Sequence, residues 1–247
     1  MSWKDWGRSV RDAWFFVIDP KRPAERRGER VVFRHLSEDR FLDGLKGARI
    51  LEIGPKHGED SVLLASLEPL ELVLVELPEK TEQLRSWLPR LACRTTHVEG
   101  NLLYLPPSTM ERLGRFDLVW CLGVLYHNVE QLRLLRTLFR LTADEGRVVI
   151  ESATTRNAAL ADLNVVELHW PRTYRELPTI THLPSRRAIQ SWMEMVGFTE
   201  VELRSVYSRE LASQRAVITA RRSKASKPYV SYGTDGSNPE YVAGESS

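Results

Sequence analysis

The chain has 247 residues, enough for one large domain with a substantial core but short for two. Hydrophobic residues make up 42% and charged residues 28%, as in an ordinary globular protein, and no apolar run is long enough to cross a bilayer. A net charge of +2 creates no global field that would demand a nucleic-acid partner. Cys93 and Cys121 stand in apolar surroundings away from metal-ligand spacing, so two reduced thiols and no metal are expected. The N-terminus has no continuous apolar segment of the kind a leader peptide needs, which makes a cytoplasmic location the expectation.

Trp3, Trp6, Val10, Trp14 and Val17 recur three or four apart, predicting an amphipathic helix over residues 3–18 that Pro20 and Pro23 end. A basic stretch from Lys21 to Arg34 follows, then a short helix over residues 35–45 closed by Gly44 or Gly47. Residues 1–46 therefore read as a helical cap and basic segment. From residue 47 the pattern changes to short apolar runs separated by helical stretches. RILEIG (49–54) and ELVLVEL (71–77) are almost wholly apolar, as strands covered on both faces must be, with a crossover helix over residues 59–67 between them. A third strand is TTHVEG (95–100) and a fourth FDLVWCLG (116–123). A helix over 129–141 then buries Leu132, Leu135, Leu138, Phe139 and Leu141. The fifth strand is GRVVIES (146–152), and residues 153–184 read as irregular. Ser185 caps a helix that runs to Val196 and stops at Gly197. Two strands, 198–208 and 213–222, are joined closely enough to pair antiparallel. The prediction for 47–222 is a Rossmann-like, doubly wound α/β sheet of seven strands, with a C-terminal antiparallel hairpin and helices on both faces. Residues 223–247, rich in Ser, Gly, Pro and Lys, read as a disordered tail.

Ligands of such sheets bind beyond the carboxyl ends of the strands, so the residues just after each strand are the ones to inspect. The first strand leads into Glu52-Ile53-Gly54-Pro55-Lys56-His57-Gly58, an acid followed by two glycines that let the backbone turn sharply and approach a ligand. The second ends in Glu76, 24 residues after Glu52, where a carboxylate can accept from both hydroxyls of a ribose. After the third come Asn101 and Leu102; the amide could read the edge of an adenine, or simply hold an Asx-turn. Tyr126 and His127 follow the fourth strand, and a histidine there can serve as a general base near neutral pH. Glu151, His169, Trp170, Arg172, Tyr174 and His182 form a polar and aromatic set around a rim segment, among which His169 is the further catalytic candidate. Arg22, Arg26, Arg27, Arg30 and Arg34 form either a phosphate-binding strip or a solvated surface.

Taken together, the acid-and-glycine loop, Glu76 and Asn101 resemble the class I S-adenosylmethionine (SAM)-dependent methyltransferases, from about Gly47 to Arg222. The resemblance implies SAM as cofactor. Glu52, Gly54, Pro55 and Gly58 would hold its methionine part, Glu76 its ribose, and Asn101 with Leu102 its adenine. Lys56 departs from the pattern, standing where the family places a glycine or another small residue. The run Cys121-Leu122-Gly123-Val124-Leu125-Tyr126-His127, the stretch from Tyr174 to Phe198, and Gln214 to Ile218 are similar to the tRNA wobble-uridine carboxymethyltransferase family. That likeness implies carboxy-SAM as an alternative cofactor, with Tyr126 and Arg215 on its extra carboxylate. It adds Cys121 to the cofactor-binding candidates and Tyr174 to the substrate-binding ones. The family's large N-terminal region, with its lysine and tryptophan segment, is not found ahead of the first strand. The expected function is therefore SAM-dependent transfer of a methyl group to an O or N acceptor on a small molecule, by a monomer or homodimer that does not engage a membrane. A tRNA-modifying transferase using SAM or carboxy-SAM is the alternative.

Overall fold

The structure is a computed structural model that describes residues 31–155, 157–170, 180, 182–210 and 213–226. The predicted Trp-rich helix, the basic strip ahead of Val31, Tyr174 and the tail beyond residue 226 lie outside the described residues. In chain order the elements are α1 (Val31–Glu38), β1 (Arg49–Ile53), α2 (Glu59–Ala65), β2 (Glu71–Glu76), α3 (Thr81–Trp87), β3 (Thr95–Glu99), α4 (Pro107–Leu113), β4 (Phe116–Leu122), α5 (Gln131–Leu141), β5 (Thr142–Thr154), β6 (Val166–Leu168), β7 (His182–Pro184), α6 (Arg186–Met195), β8 (Thr199–Glu210) and β9 (Ser213–Arg221).

Seven strands form one sheet in the order β3-β2-β1-β4-β5-β9-β8. The first five run parallel, and β9 pairs antiparallel with both β5 and β8, which is the expected C-terminal hairpin. The strand order reverses between β1 and β4, placing the topological switch point there.

Alternation along each strand divides the apolar core between two faces. Leu51, Ile53, Val73, Val75, Val119, Cys121, Val148 and Ile150 meet α5 and α6 through Leu135, Leu138, Ile189 and Met193. Ile50, Leu72, Leu74, Leu118, Trp120 and Val149 meet α1, α2 and α3 through Leu36, Leu64 and Leu84. Burial on both sides explains why β1, β2 and β4 read as nearly unbroken apolar runs.

The structure corrects the sequence reading in three places. The helix expected over 35–45 begins earlier and ends at Glu38, because Val32 and Leu36 give it its buried stripe. Its end is a Schellman turn: Phe41 N–H donates to the Leu36 carbonyl (2.8 Å) and Arg40 N–H to that of Ser37 (3.0 Å). Arg40, with φ of +59°, takes the left-handed position usually given to glycine. Secondly, β5 starts at Thr142 rather than at Gly146, pairing with Phe116 before the register shifts. Thirdly, the segment read as irregular contains β6 and β7, which pair antiparallel and close a small cluster of Ala153, Ile180 and Leu183 against Tyr126.

Candidate active site

The site candidates collect at the carboxyl ends of β1, β2, β3 and β4. Between β1 and α2 the backbone takes positive φ at Gly54 (+70°), Lys56 (+48°) and Gly58 (+76°). A Cβ on Gly58 would lie 2.4 Å from the Trp87 ring, and one on Gly54 would lie 2.9 Å from Val124 Cγ2. Only glycine leaves the loop room to sit between α3 and the turn after β4. Pro55 is buried within it.

Glu76, only 4% exposed, holds this loop from the next strand. Its Oε2 accepts the Lys56 N–H (2.8 Å) and its Oε1 the Leu77 N–H (2.8 Å). Trp87 secures the other side of the same residue, its Nε1–H donating to the Lys56 carbonyl (3.2 Å). Glu52 is 2% exposed and accepts from the Ser61 hydroxyl at 2.6 Å, which ties the end of β1 to α2. Beyond β3, Asn101 Oδ1 accepts the Leu103 N–H (3.0 Å) and caps a single 3₁₀ turn, so its Asx-turn role is realised. Leu102 is buried under that turn.

On the far side of β1, Gly123 (φ +73°) leads from β4 into a 3₁₀ turn over Leu125–His127. The Tyr126 and His127 rings lie 4.2 Å apart. Arg215, brought by β9 beside Ala153 of β5, places its guanidinium 4.7 Å above the Tyr126 ring. Its Nε and Nη2 each donate to Glu151 at 2.5 Å, an ion pair in which the two residues are 6% and 1% exposed. Burial opposes the charge on Arg215, but the adjoining carboxylate and the Tyr126 side chain outweigh it, so the guanidinium stays charged with its pKa raised. His127 moves the opposite way: burial, then the positive charges of Arg215 and Lys56, lower its pKa and keep the imidazole neutral.

The structure therefore brings Glu52, Gly54, Pro55, Gly58, Glu76, Asn101 and Leu102 to neighbouring strand ends, with Tyr126, His127 and Arg215 across the switch point. The Cys121 thiol does not join them. It is fully buried in the apolar core, and burial followed by the Glu151 charge pushes its pKa up to about 12. His169 directly follows β6, where its ring meets Glu167 at 3.4 Å and Glu167 in turn accepts from Thr155 (2.5 Å). His182, on β7, has its pKa lowered by burial while a hydrogen bond with the Val129 backbone acts the other way. Sequence reasoning named Glu151 only as one of the rim residues and missed its pairing with Arg215. It also missed Trp87. A carboxylate and a guanidinium embedded in two apolar strands were the available sign of the first; nothing local announced the second.

Comparison with known proteins agrees with this architecture. A methyltransferase domain family model matches residues 25–203. The tRNA U34 carboxymethyltransferase of Haemophilus influenzae (strain PittEE) is 29% identical over 182 residues, 70% of this chain and 52% of that protein. The enzyme of the same name from Desulforapulum autotrophicum is 30% identical over 172 residues, 66% of this chain and 49% of that protein. The chain thus spans about half the length of the curated relatives it matches. Among solved structures, Burkholderia thailandensis 1,6-didemethyltoxoflavin-N1-methyltransferase, with S-adenosylhomocysteine bound, aligns with a TM-score of 0.58 at 18% identity, covering 90% of this chain and 87% of that one. The N-terminal domain of EvdMO1, in the presence of SAH and D-fucose, aligns with a TM-score of 0.56 at 20% identity, covering 88% and 97%. The chain belongs to the methyltransferase domain family, on the fold of the class I SAM-dependent methyltransferases.

Proposed function

We propose that this protein is a SAM-dependent methyltransferase that methylates an O or N atom of a small-molecule acceptor. The observation that carries the reading is the pair of buried carboxylates, Glu52 and Glu76, at the ends of adjacent strands, with a positive-φ loop held between them. These residues fit the cofactor. Each Glu76 oxygen accepts one backbone N–H and keeps a further lone pair for a ribose hydroxyl, and Gly54 and Gly58 let the loop pack against Val124 and Trp87 in the positive-φ shape that turns it back toward Glu76. Glu52, Gly54, Pro55 and Gly58 would hold the methionine part, and Asn101 with Leu102 the adenine. When bound, SAM supplies an electrophilic methyl group on a sulfonium. The protein then has to hold the acceptor in line and take up a proton where the acceptor carries one.

His127 is suited to that proton. Its neutral form is favoured by burial and by Arg215 and Lys56, and a general base must be unprotonated to act. Replacing His127 with Gln is expected to lower turnover on the order of 10²-fold with SAM affinity unchanged. In the native enzyme the rate is expected to be flat above pH ~6.5 and to fall below it, as the imidazole protonates beneath its ordinary pKa. The acid limb should vanish in His127→Gln; a retained limb would assign the base elsewhere.

A second reading, carboxymethyl transfer to tRNA, is favoured by one observation: Arg215 lies against Tyr126 beside the same turn. The methyl reading is preferred because Glu151 already balances the Arg215 charge with two hydrogen bonds. Titrating the protein with SAM and carboxy-SAM side by side tests the choice. The expected result is SAM binding at least as tight as carboxy-SAM binding. A clear preference for carboxy-SAM, with RNA binding that weakens steeply as salt is raised, would overturn it.

A further inference from the structure

The loop between β1 and α2 uses only the backbone of Lys56. Its N–H is taken by Glu76 and its carbonyl by Trp87, so the loop's shape needs no side chain at this position. A side chain is in fact unfavourable there, since φ is +48°. The lysine is nonetheless present, its side chain exposed, and among the described residues its ammonium makes no salt bridge.

The position of that charge follows from the packing around it. Gly54, two residues earlier, lies against Val124 of the turn after β4, and His127 closes the same turn. The backbone of Lys56 is tied to β2 through Glu76 and to Trp87, and its charge is felt at His127 across the Gly54–Val124 contact. The charges of Arg215 and Lys56 both act on His127. Arg215 is balanced by Glu151, whereas Glu76 meets Lys56 at the backbone N–H and, among the described residues, no salt bridge is made to the Lys56 ammonium. An ammonium with no salt-bridge partner at the edge of a ligand site favours an anion. On the reading above, the ribose end of the cofactor lies with Glu76 on β2, so the part lying over β1 and β4 is the amino-acid part and its attached group.

We propose that Lys56 anchors a carboxylate of the bound cofactor, supplying by a side-chain cation a contact that a small residue at this position would leave to the backbone. The inference rests on the SAM-binding reading. In SAM the carboxylate is that of the amino acid; carboxy-SAM offers a second one.

The test measures binding by calorimetry on the full chain. S-adenosylhomocysteine carries the amino-acid carboxylate, and 5′-methylthioadenosine lacks it. Lys56→Met is expected to weaken S-adenosylhomocysteine about tenfold, the scale of one charge-assisted hydrogen bond, and to leave methylthioadenosine unchanged. Lys56→Arg should restore most of the loss. Lys56→Gly, which relieves the positive φ, should lose the same preference while unfolding at the same or a higher temperature, separating binding from folding. A parallel comparison of SAM with carboxy-SAM identifies the source, because a larger loss for carboxy-SAM assigns the contact to the extra carboxylate. If the wild-type chain binds S-adenosylhomocysteine and Lys56→Met leaves both ligand ratios as they were, the anchoring role fails and the SAM reading stands. If the wild-type chain binds none of these ligands, both fail.

Discussion

Replacing Glu151 with Ala is expected to destabilise the fold by about 3–5 kcal/mol, the cost of leaving a buried charge without its partner. Arg215 is 6% exposed and is carried within the β5–β9 pairing, so its charge has little access to water. Burial already works against its charge, and the nearby carboxylate is what outweighs that penalty. Chemical denaturation should report the full loss, and the melting temperature should fall by roughly 10 °C for a chain of this size. The double replacement of Glu151 and Arg215 by Leu is expected to recover most of it, since removing both partners takes away the unpaired charge along with the bond. The non-additivity is the diagnostic. If Glu151→Ala cost less than about 1 kcal/mol, as exposed pairs do, the pair would not be structural, and Arg215 would be free to serve a ligand in the way the carboxymethyl reading requires.

The same pair marks where sequence reading stops. Strands β1, β2 and β4 were legible because two covered faces turn them into apolar runs, and the fifth was recognisable from Arg147 to Ser152 for the same reason. Ser185 was legible as a cap because its oxygen does accept the Ala188 N–H (2.9 Å), a bond within four residues. Arg215 and Glu151 are 64 residues apart and meet only through the register of β5 with β9, which no local pattern fixes. Trp87 is equally remote from Lys56, at 31 residues, and sits on a helix of seven residues too short to display a period. Arg40 ends α1 in a conformation usually reserved for glycine, so the search for a terminating glycine overshot to Gly44. Strands β6 and β7 have three residues each, and their pairing is set by the cluster beneath them rather than by alternation. The acids and glycines of the candidate site were readable as residues at strand ends. What holds them in place was not.

Replacing Glu76 with Gln is expected to weaken S-adenosylhomocysteine binding about 100-fold, or roughly 3 kcal/mol, on the scale of one hydroxyl-to-carboxylate hydrogen bond together with one backbone N–H bond. The substitution keeps the shape of a side chain that is only 4% exposed, and it changes the chemistry at one oxygen. That oxygen becomes an NH₂, which cannot accept. Either the Lys56 N–H or the Leu77 N–H, each 2.8 Å from a carboxylate oxygen, then faces a donor, and one ribose hydroxyl loses its acceptor. Because the Lys56 N–H belongs to the glycine loop, part of the loss comes from the loop and part from the ribose. Comparing S-adenosylhomocysteine with its 2′-deoxy analogue separates the two parts. The wild-type chain should discriminate against the deoxy ligand, and Glu76→Gln should discriminate much less, because the acceptor that told them apart is gone. A melting temperature within a few degrees of wild type would confirm that binding, rather than folding, has been lost. Should Glu76→Gln bind S-adenosylhomocysteine within threefold of wild type, Glu76 would be a loop anchor only, and the ribose would have to be held from another strand.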